Sequence, residues 1–200
     1  MQIQEKVLEL AEFAKLNKVP IVRPLTAKRL METVEKCKPK KILEIGTAIG
    51  YSTLLMASKL DNDAKIITIE KDEDRYNQAV ANTKDCNIDI ECILDDAYEI
   101  LKQFVLKGEK FDFVFLDGPK GYYFRYLNEI IEILEDGGCI FADNISFFGM
   151  VPSNIYPHRH KTIVVSLQNY LKKVSEPPFT TEIQFDIEDG YAITYKEKLW

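Results

Sequence analysis

From Lys41 onward the chain alternates short β-branched runs with amphipathic stretches of roughly ten to fifteen residues, and that rhythm restricts the fold more than any other feature. The strands are expected at KILEI (41–45), KIITIE (65–70), IECIL (90–94), FDFVFLD (111–117) and CIFAD (139–143). Helices are expected between them at about 51–60, 72–84, 97–106 and 122–135. These strands are nearly continuous apolar runs, as expected where helices cover both faces of a parallel sheet. After residue 160 the pattern changes to a helix over about 160–174, a Glu-Pro-Pro break, and two runs, TTEIQFDI and GYAITYK, joined at Glu188–Gly190. Asp-Gly is a strong turn signal, so those runs predict an antiparallel hairpin. The sum is an α/β chain with a seven-stranded, mostly parallel, doubly wound sheet closed by a C-terminal antiparallel hairpin. In such sheets ligands bind beyond the carboxyl ends of the strands, where strand order reverses.

Ahead of this core, apolar residues at helical spacing predict a helix over Met1–Leu16 and a second over Thr26–Cys37, separated by an extended link that Pro20 and Pro24 impose. A single domain over 1–200 is expected, with residues 1–38 packing on or capping the site. No apolar run approaches the roughly 18 to 20 residues of a membrane span, and the charged start MQIQEKVLEL is unlike a signal peptide, so a cytoplasmic protein is expected. Cys37, Cys86, Cys92 and Cys139 form no CxxC pair and read as buried, reduced thiols. The net charge of −6 argues against a surface that binds nucleic acid throughout. It leaves room for two local basic patches, Lys18–Arg29 and His158–Lys161, which read otherwise as solvated faces.

Chemistry-bearing residues gather at the strand ends. LEIGTAIGYS (Leu43–Ser52) leaves the first strand and opens a helix, and Gly46 and Gly50 let the backbone turn tightly beneath a ligand. Its spacing is not the GxGxxG of a dinucleotide site. The second strand ends in Glu70, placed to accept hydrogen bonds from ribose hydroxyls. The third ends in LDDA, where Asp96 and the Ala97 amide can meet an adenine edge. The fourth ends in Asp117, with Lys120 three residues on, and the fifth in Asp143–Asn144. Two carboxylates and an amide brought together would form an all-oxygen ligand set, which suits Mg²⁺ and leaves Mn²⁺ or Ca²⁺ open. Read alone, Asp143–Asn144 is equally a capping turn, and Lys120 a surface lysine.

Taken together, LEIGTAIGYSTLLMA, the acid at Glu70, DDAYEIL, FDFVFLDGPKGYYFRYL and GGCIFADN resemble successive motifs of the S-adenosylmethionine-dependent, divalent-metal-dependent O-methyltransferases, the class of catechol and caffeoyl-CoA O-methyltransferases. The resemblance spans about residues 19–196. It implies a Rossmann-like class I methyltransferase fold, with S-adenosylmethionine held by Val22, Glu44, Gly46, Gly50, Ser52, Glu70, Asp96, Ala97 and Asp117. It also implies Mg²⁺ or Mn²⁺ on Asp117, Asp143 and Asn144, with Lys120 as the general base. Many bacterial relatives carry Asp-Ala-Ala-Lys where this chain has Asp117-Gly118-Pro119-Lys120; the spacing is kept, while Pro119 fixes one φ and removes an amide donor.

For the acceptor, the compact chain and the basic segment after Asp143–Asn144 resemble the bacterial tRNA 5-hydroxyuridine methyltransferases. That resemblance implies a tRNA anticodon loop as partner and 5-methoxyuridine at the wobble position as product. Arg23, Lys28, Arg29, Arg159 and Lys161 are then candidate phosphate contacts, and Tyr122, Tyr123 and Phe148 candidate stacking residues. The alternatives are a small catechol-like phenol and a catalytically silent cofactor-binding protein. The apolar stripe of the first helix suits a homodimer interface, as in relatives of the class.

Overall fold

The computed structural model describes residues 3–198; Met1 and Gln2, where the first helix was expected to begin, lie outside the described residues. Seven strands are ordered β3-β2-β1-β4-β5-β7-β6: β1 (Lys41–Ile45), β2 (Lys65–Glu70), β3 (Asp89–Leu94), β4 (Phe111–Leu116), β5 (Leu134–Asp143), β6 (Phe179–Gln184) and β7 (Tyr191–Lys196). The helices are α1 (Ile3–Asn17), α2 (Pro24–Cys37), α3 (Tyr51–Ala57), α4 (Glu73–Thr83), α5 (Ala97–Lys107), α6 (Tyr123–Ile133), α7 (Met150–Ser153) and α8 (Lys161–Val174). Contacts divide the chain into two compact units, Met1–Ala97 and Tyr98–Trp200.

In the first unit β1, β2 and β3 pair in parallel. α2 starts on Pro24, whose missing amide hydrogen costs nothing in a first turn, and stops at Lys38, which takes the left-handed conformation (φ 48°) just before Pro39. α4 is capped by Asp72, whose side chain accepts the Arg75 amide at 3.0 Å. Leu10 and Ala14 of α1 pack with Ile49 and Leu54, so the first helix backs the glycine turn that follows β1. Its outer side leaves Leu8, Phe13 and Leu16 exposed.

In the second unit β4 and β5 are parallel, and β7 runs antiparallel to both β5 and β6. Phe111, Phe113, Phe115, Phe141, Tyr123 and Tyr170 are fully buried there, each large ring contributing on the order of 1.5–3 kcal/mol by leaving water. Three sequence expectations shift. The helix expected over 122–135 ends at Ile133, because Leu134 turns extended (ψ 127°) and pairs with Phe111, which starts β5 five residues early. The Glu188–Gly190 turn is part of a longer connection: β6 stops at Gln184 and the Gly190 amide bonds Ile187 O at 2.9 Å. The four cysteines are free, as expected, but Cys139 alone among them is buried. Among the described residues no helix is long and apolar enough to cross a membrane.

Candidate active site

In the first unit the chain leaves β1 through Gly46 (φ 100°), Ala48 (φ 47°) and Gly50 (φ 84°) before α3 begins. A side chain on Gly50 would press on Thr83 Cγ2 at 3.2 Å in a conformation L-residues disfavour. Glu70 holds this turn from the end of β2. Its Oε2 accepts the Ala48 amide at 2.8 Å, while Oε1 accepts those of Lys71 at 2.9 Å and Asp72 at 3.0 Å. Carboxylate oxygens carry further lone pairs, so these bonds orient the group and leave acceptors for ligand hydroxyls. Asp96 stands beside it in an ion pair with Lys71 (2.8 Å), and Ala97 opens α5.

Glu44 and Ser52 lie deeper. Glu44 is 0% exposed, and its carboxylate accepts the hydroxyls of Ser52 (2.5 Å), Thr53 and Thr68 (2.7 Å). Thr68 spends its proton on Glu44, so in the 2.5 Å contact with Thr47 the Thr47 hydroxyl is the donor. A buried carboxylate is tolerable because three hydroxyls replace its hydration. Glu44 therefore ties β1, α3 and β2 together beneath the turn, and Ser52 is part of that tie. The Val22 side chain is buried as well.

In the second unit the register aligns Leu116 with Ala142, so Asp117 and Asp143 follow at neighbouring strand ends. Asp117 Oδ1 pairs with Lys120 Nζ at 2.6 Å, both side chains being mostly covered. Pro119 (φ −64°, ψ 115°) leads into a single 3₁₀ turn at Lys120–Tyr122, and its carbonyl accepts the Tyr122 amide at 2.9 Å. The proline thus delivers the lysine to Asp117. Asp143 is 2% exposed and accepts the Asn144 amide at 2.6 Å; Asn144 takes φ 56°, a conformation its short polar side chain tolerates. Burial first, and then the charge of Asp117, push the Asp143 carboxyl up to about 8, against the pull of Lys120.

Two residues acquire roles the sequence did not suggest. Tyr123, expected as a stacking residue at the rim, is instead 0% exposed; its hydroxyl lies 2.8 Å from Leu116 O and 2.9 Å from Asp143 O. It thus ties the two strand ends that carry the acids, and burial keeps its phenol neutral. Asp189, read only as part of a turn, is buried against the residues that follow Asn144. Of the other stacking candidates, Tyr122 is half exposed and stacks on Tyr126 (5.8 Å), with the Arg125 guanidinium 5.7 Å from its ring. Phe148 is 72% exposed.

A buried acid held among like charges is a natural seat for a cation. Asp117, Asp143 and Asn144 offer only oxygen, which hard divalent ions such as Mg²⁺ select. Among the described residues no three His, Cys, Asp or Glu side chains converge as a metal site; the set here is two carboxylates and an amide.

The seven-stranded sheet, closed by an antiparallel β6–β7 pair, defines a Rossmann-like methyltransferase architecture. A family model for O-methyltransferases matches residues 5–197, and the chain belongs to that family. It is 33% identical over 133 residues to a caffeoyl-CoA O-methyltransferase of Stellaria longipes, covering 64% of this chain and 55% of that protein. Over another 133 residues it is 33% identical to a catechol O-methyltransferase of Niastella koreensis, covering 65% and 60%. The chain thus spans little more than half the length of these relatives. An O-methyltransferase from Bacillus cereus, solved in complex with SAH, shares the fold with a TM-score of 0.86 at 24% identity, covering 96% of this chain and 91% of that one.

Proposed function

We propose that this protein transfers the methyl group of S-adenosylmethionine to a hydroxyl of a small, catechol-like phenol, with a divalent cation on Asp117, Asp143 and Asn144. The observation that carries this reading is Asp143, a buried carboxylate whose charged neighbours include two further acids, Asp117 and Asp189, against one lysine. The relatives of the caffeoyl-CoA and catechol type favour a phenolic acceptor. SAH in the Bacillus cereus enzyme of the same fold supports the cofactor.

A bound divalent ion would stabilise the deprotonated form of a chelated hydroxyl and fix its oxygen. The chain's residues do the rest. Glu70, steered by three backbone amides, receives the ribose hydroxyls, with Asp96 and the Ala97 amide toward the base. Lys120 is the general base that takes the proton of the acceptor hydroxyl. An oxygen lone pair then forms the O–CH₃ bond as the S–CH₃ bond breaks, and its electron pair returns to sulfur, leaving S-adenosylhomocysteine.

A second acceptor, 5-hydroxyuridine in a tRNA anticodon, also offers neighbouring oxygens. It draws on the exposed Phe148 and the Tyr122–Arg125 pair, with Arg159 and Lys161 exposed nearby in sequence. Labelled S-adenosylmethionine and Mg²⁺, offered with a catechol panel and in parallel with hypomodified bacterial tRNA, separates the two. EDTA-sensitive label in catechols is the expected result. Label confined to tRNA that digests to 5-methoxyuridine transfers the assignment to the second acceptor, and cofactor binding without label in either arm overturns both.

A further inference from the structure

We infer that Asp189, in the loop between β6 and β7, is a positioning residue that holds the Asp143–Asn144 ligand pair in place, an inference that rests on the metal reading above. The segment after β5 has a backbone that cannot be held by local preference. Asn144 (φ 56°), Phe147 (φ 46°), Phe148 (φ 57°) and Gly149 (φ 77°) are all left-handed, and two consecutive aromatic residues are poorly suited to that conformation. Asn144 and Gly149 have local acceptors in Asp143 and Ser146, and the segment's bonds to the rest of the fold go to residues 189 and 190. Asp189 Oδ1 accepts the Phe148 amide at 2.6 Å, Asp189 O accepts the Ser146 amide at 2.8 Å, and Gly190 O accepts the Ile145 amide at 3.2 Å.

The approach of the two loops is close enough that a side chain on Gly190 would stand 2.9 Å from Gln184 O and 3.2 Å from Ser146 N. Ser146 adds its own hydroxyl, which accepts the Gly149 amide at 3.1 Å. Three amides of the segment that begins at Asn144 therefore end on two adjacent residues of another loop. Asp189 is buried and contributes the single side-chain acceptor of the three. Its carboxylate would stand outside the coordination sphere while fixing the direction in which the ligands face, the usual work of an outer-shell partner.

The test titrates Mn²⁺ into the metal-free full chain by calorimetry, with no acceptor present, for the wild type, Asp189→Asn, Asp189→Glu and Asp189→Ala. Asparagine keeps the Oδ1 acceptor and drops the charge; glutamate keeps the charge and moves the acceptor by one methylene. Asp189→Asn is expected to bind within about threefold of wild type, while Asp189→Glu and Asp189→Ala weaken Mn²⁺ binding by roughly 10- to 100-fold. S-adenosylmethionine affinity, measured on the same samples, stays unchanged. Wild-type affinity in Asp189→Ala or Asp189→Glu overturns the inference, as does Asp189→Asn binding as weakly as Asp189→Ala. If the alanine variant fails to fold, the Asn and Glu variants decide, equal affinities overturning it. A wild type that takes up no Mn²⁺ overturns the metal reading, and this inference with it.

Discussion

Replacing Asp143 with asparagine should change how stability depends on pH, and the size of the change follows from the burial of one carboxyl. Asp143 is 2% exposed, and its proton affinity is raised from an ordinary 3.8 to about 8. For an acid shifted upward, the folded state keeps a proton that the unfolded chain has already lost. Its contribution is therefore fully present below the unfolded value and disappears as pH rises toward the folded one. Four units at 1.36 kcal/mol each give a ceiling of about 5 kcal/mol across the whole window, and about 4 kcal/mol between pH 5 and pH 8. Urea unfolding of the metal-free wild type in EDTA should accordingly show its midpoint falling over that range by roughly 1.3–2 M at an m-value near 2–3 kcal/mol/M. Asparagine keeps an oxygen for the Asn144 amide and cannot ionise, so Asp143→Asn should be flatter by most of that amount. Adding Mg²⁺ at pH 8 should raise the wild-type midpoint and leave the variant unmoved. Parallel wild-type and variant profiles in EDTA would refute the reasoning, since the buried carboxyl would then bear no extra proton.

Glu44→Ala would strand the buried hydroxyls of Ser52, Thr53 and Thr68 and open a cavity; a loss of at least about 3 kcal/mol is expected by denaturant unfolding. Glu70→Ala removes the acceptor of the Ala48, Lys71 and Asp72 amides at the edge of the protein, so calorimetry should find S-adenosylmethionine binding weakened at least about tenfold, the loss of one charged-group hydrogen bond to ligand, with a smaller loss of stability. Lys120→Ala should slow methyl transfer mainly below the pKa of the acceptor hydroxyl and recover at higher pH; a rate profile superimposable on wild type would remove Lys120 from proton transfer.

Legibility differed sharply between neighbouring residues. The strand ends at Ile45 and Glu70 fall where the apolar runs stop, because the buried parallel strands β1 and β2 must be apolar along most of their length, whereas the edge strand β3 is largely uncovered up to Leu94. Asp117 and Asp143, with Lys120 and Asn144 just after them, stand out as candidates because they interrupt that apolarity at carboxyl ends. The tie that Glu44 makes was not legible. Nothing in the sequence announces that hydroxyls 8, 9 and 24 residues away will surround a carboxylate inside KILEI. Tyr122 and Tyr123 are adjacent and chemically identical, yet one is half exposed and the other fully buried, a difference set by the end of one short 3₁₀ turn and the start of α6. The start of β5 at Leu134 was hidden by Glu135–Gly138, which leave the ladder as an irregularity, with Gly137 at φ 84°, between the pairings of Leu134 and Cys139 with β4.

By itself the sequence determined the α/β class, the number of strands, the antiparallel close and the residues at the strand ends, because periodicity and turn chemistry are local properties of the chain. Tertiary structure alone decided which polar groups face inward. Asp189 joins Phe148 across 41 positions and Tyr123 reaches Asp143 across 20. Such pairings depend on how loops from separate strands meet, and that meeting is fixed by packing of the whole sheet, which leaves no periodic trace along the chain.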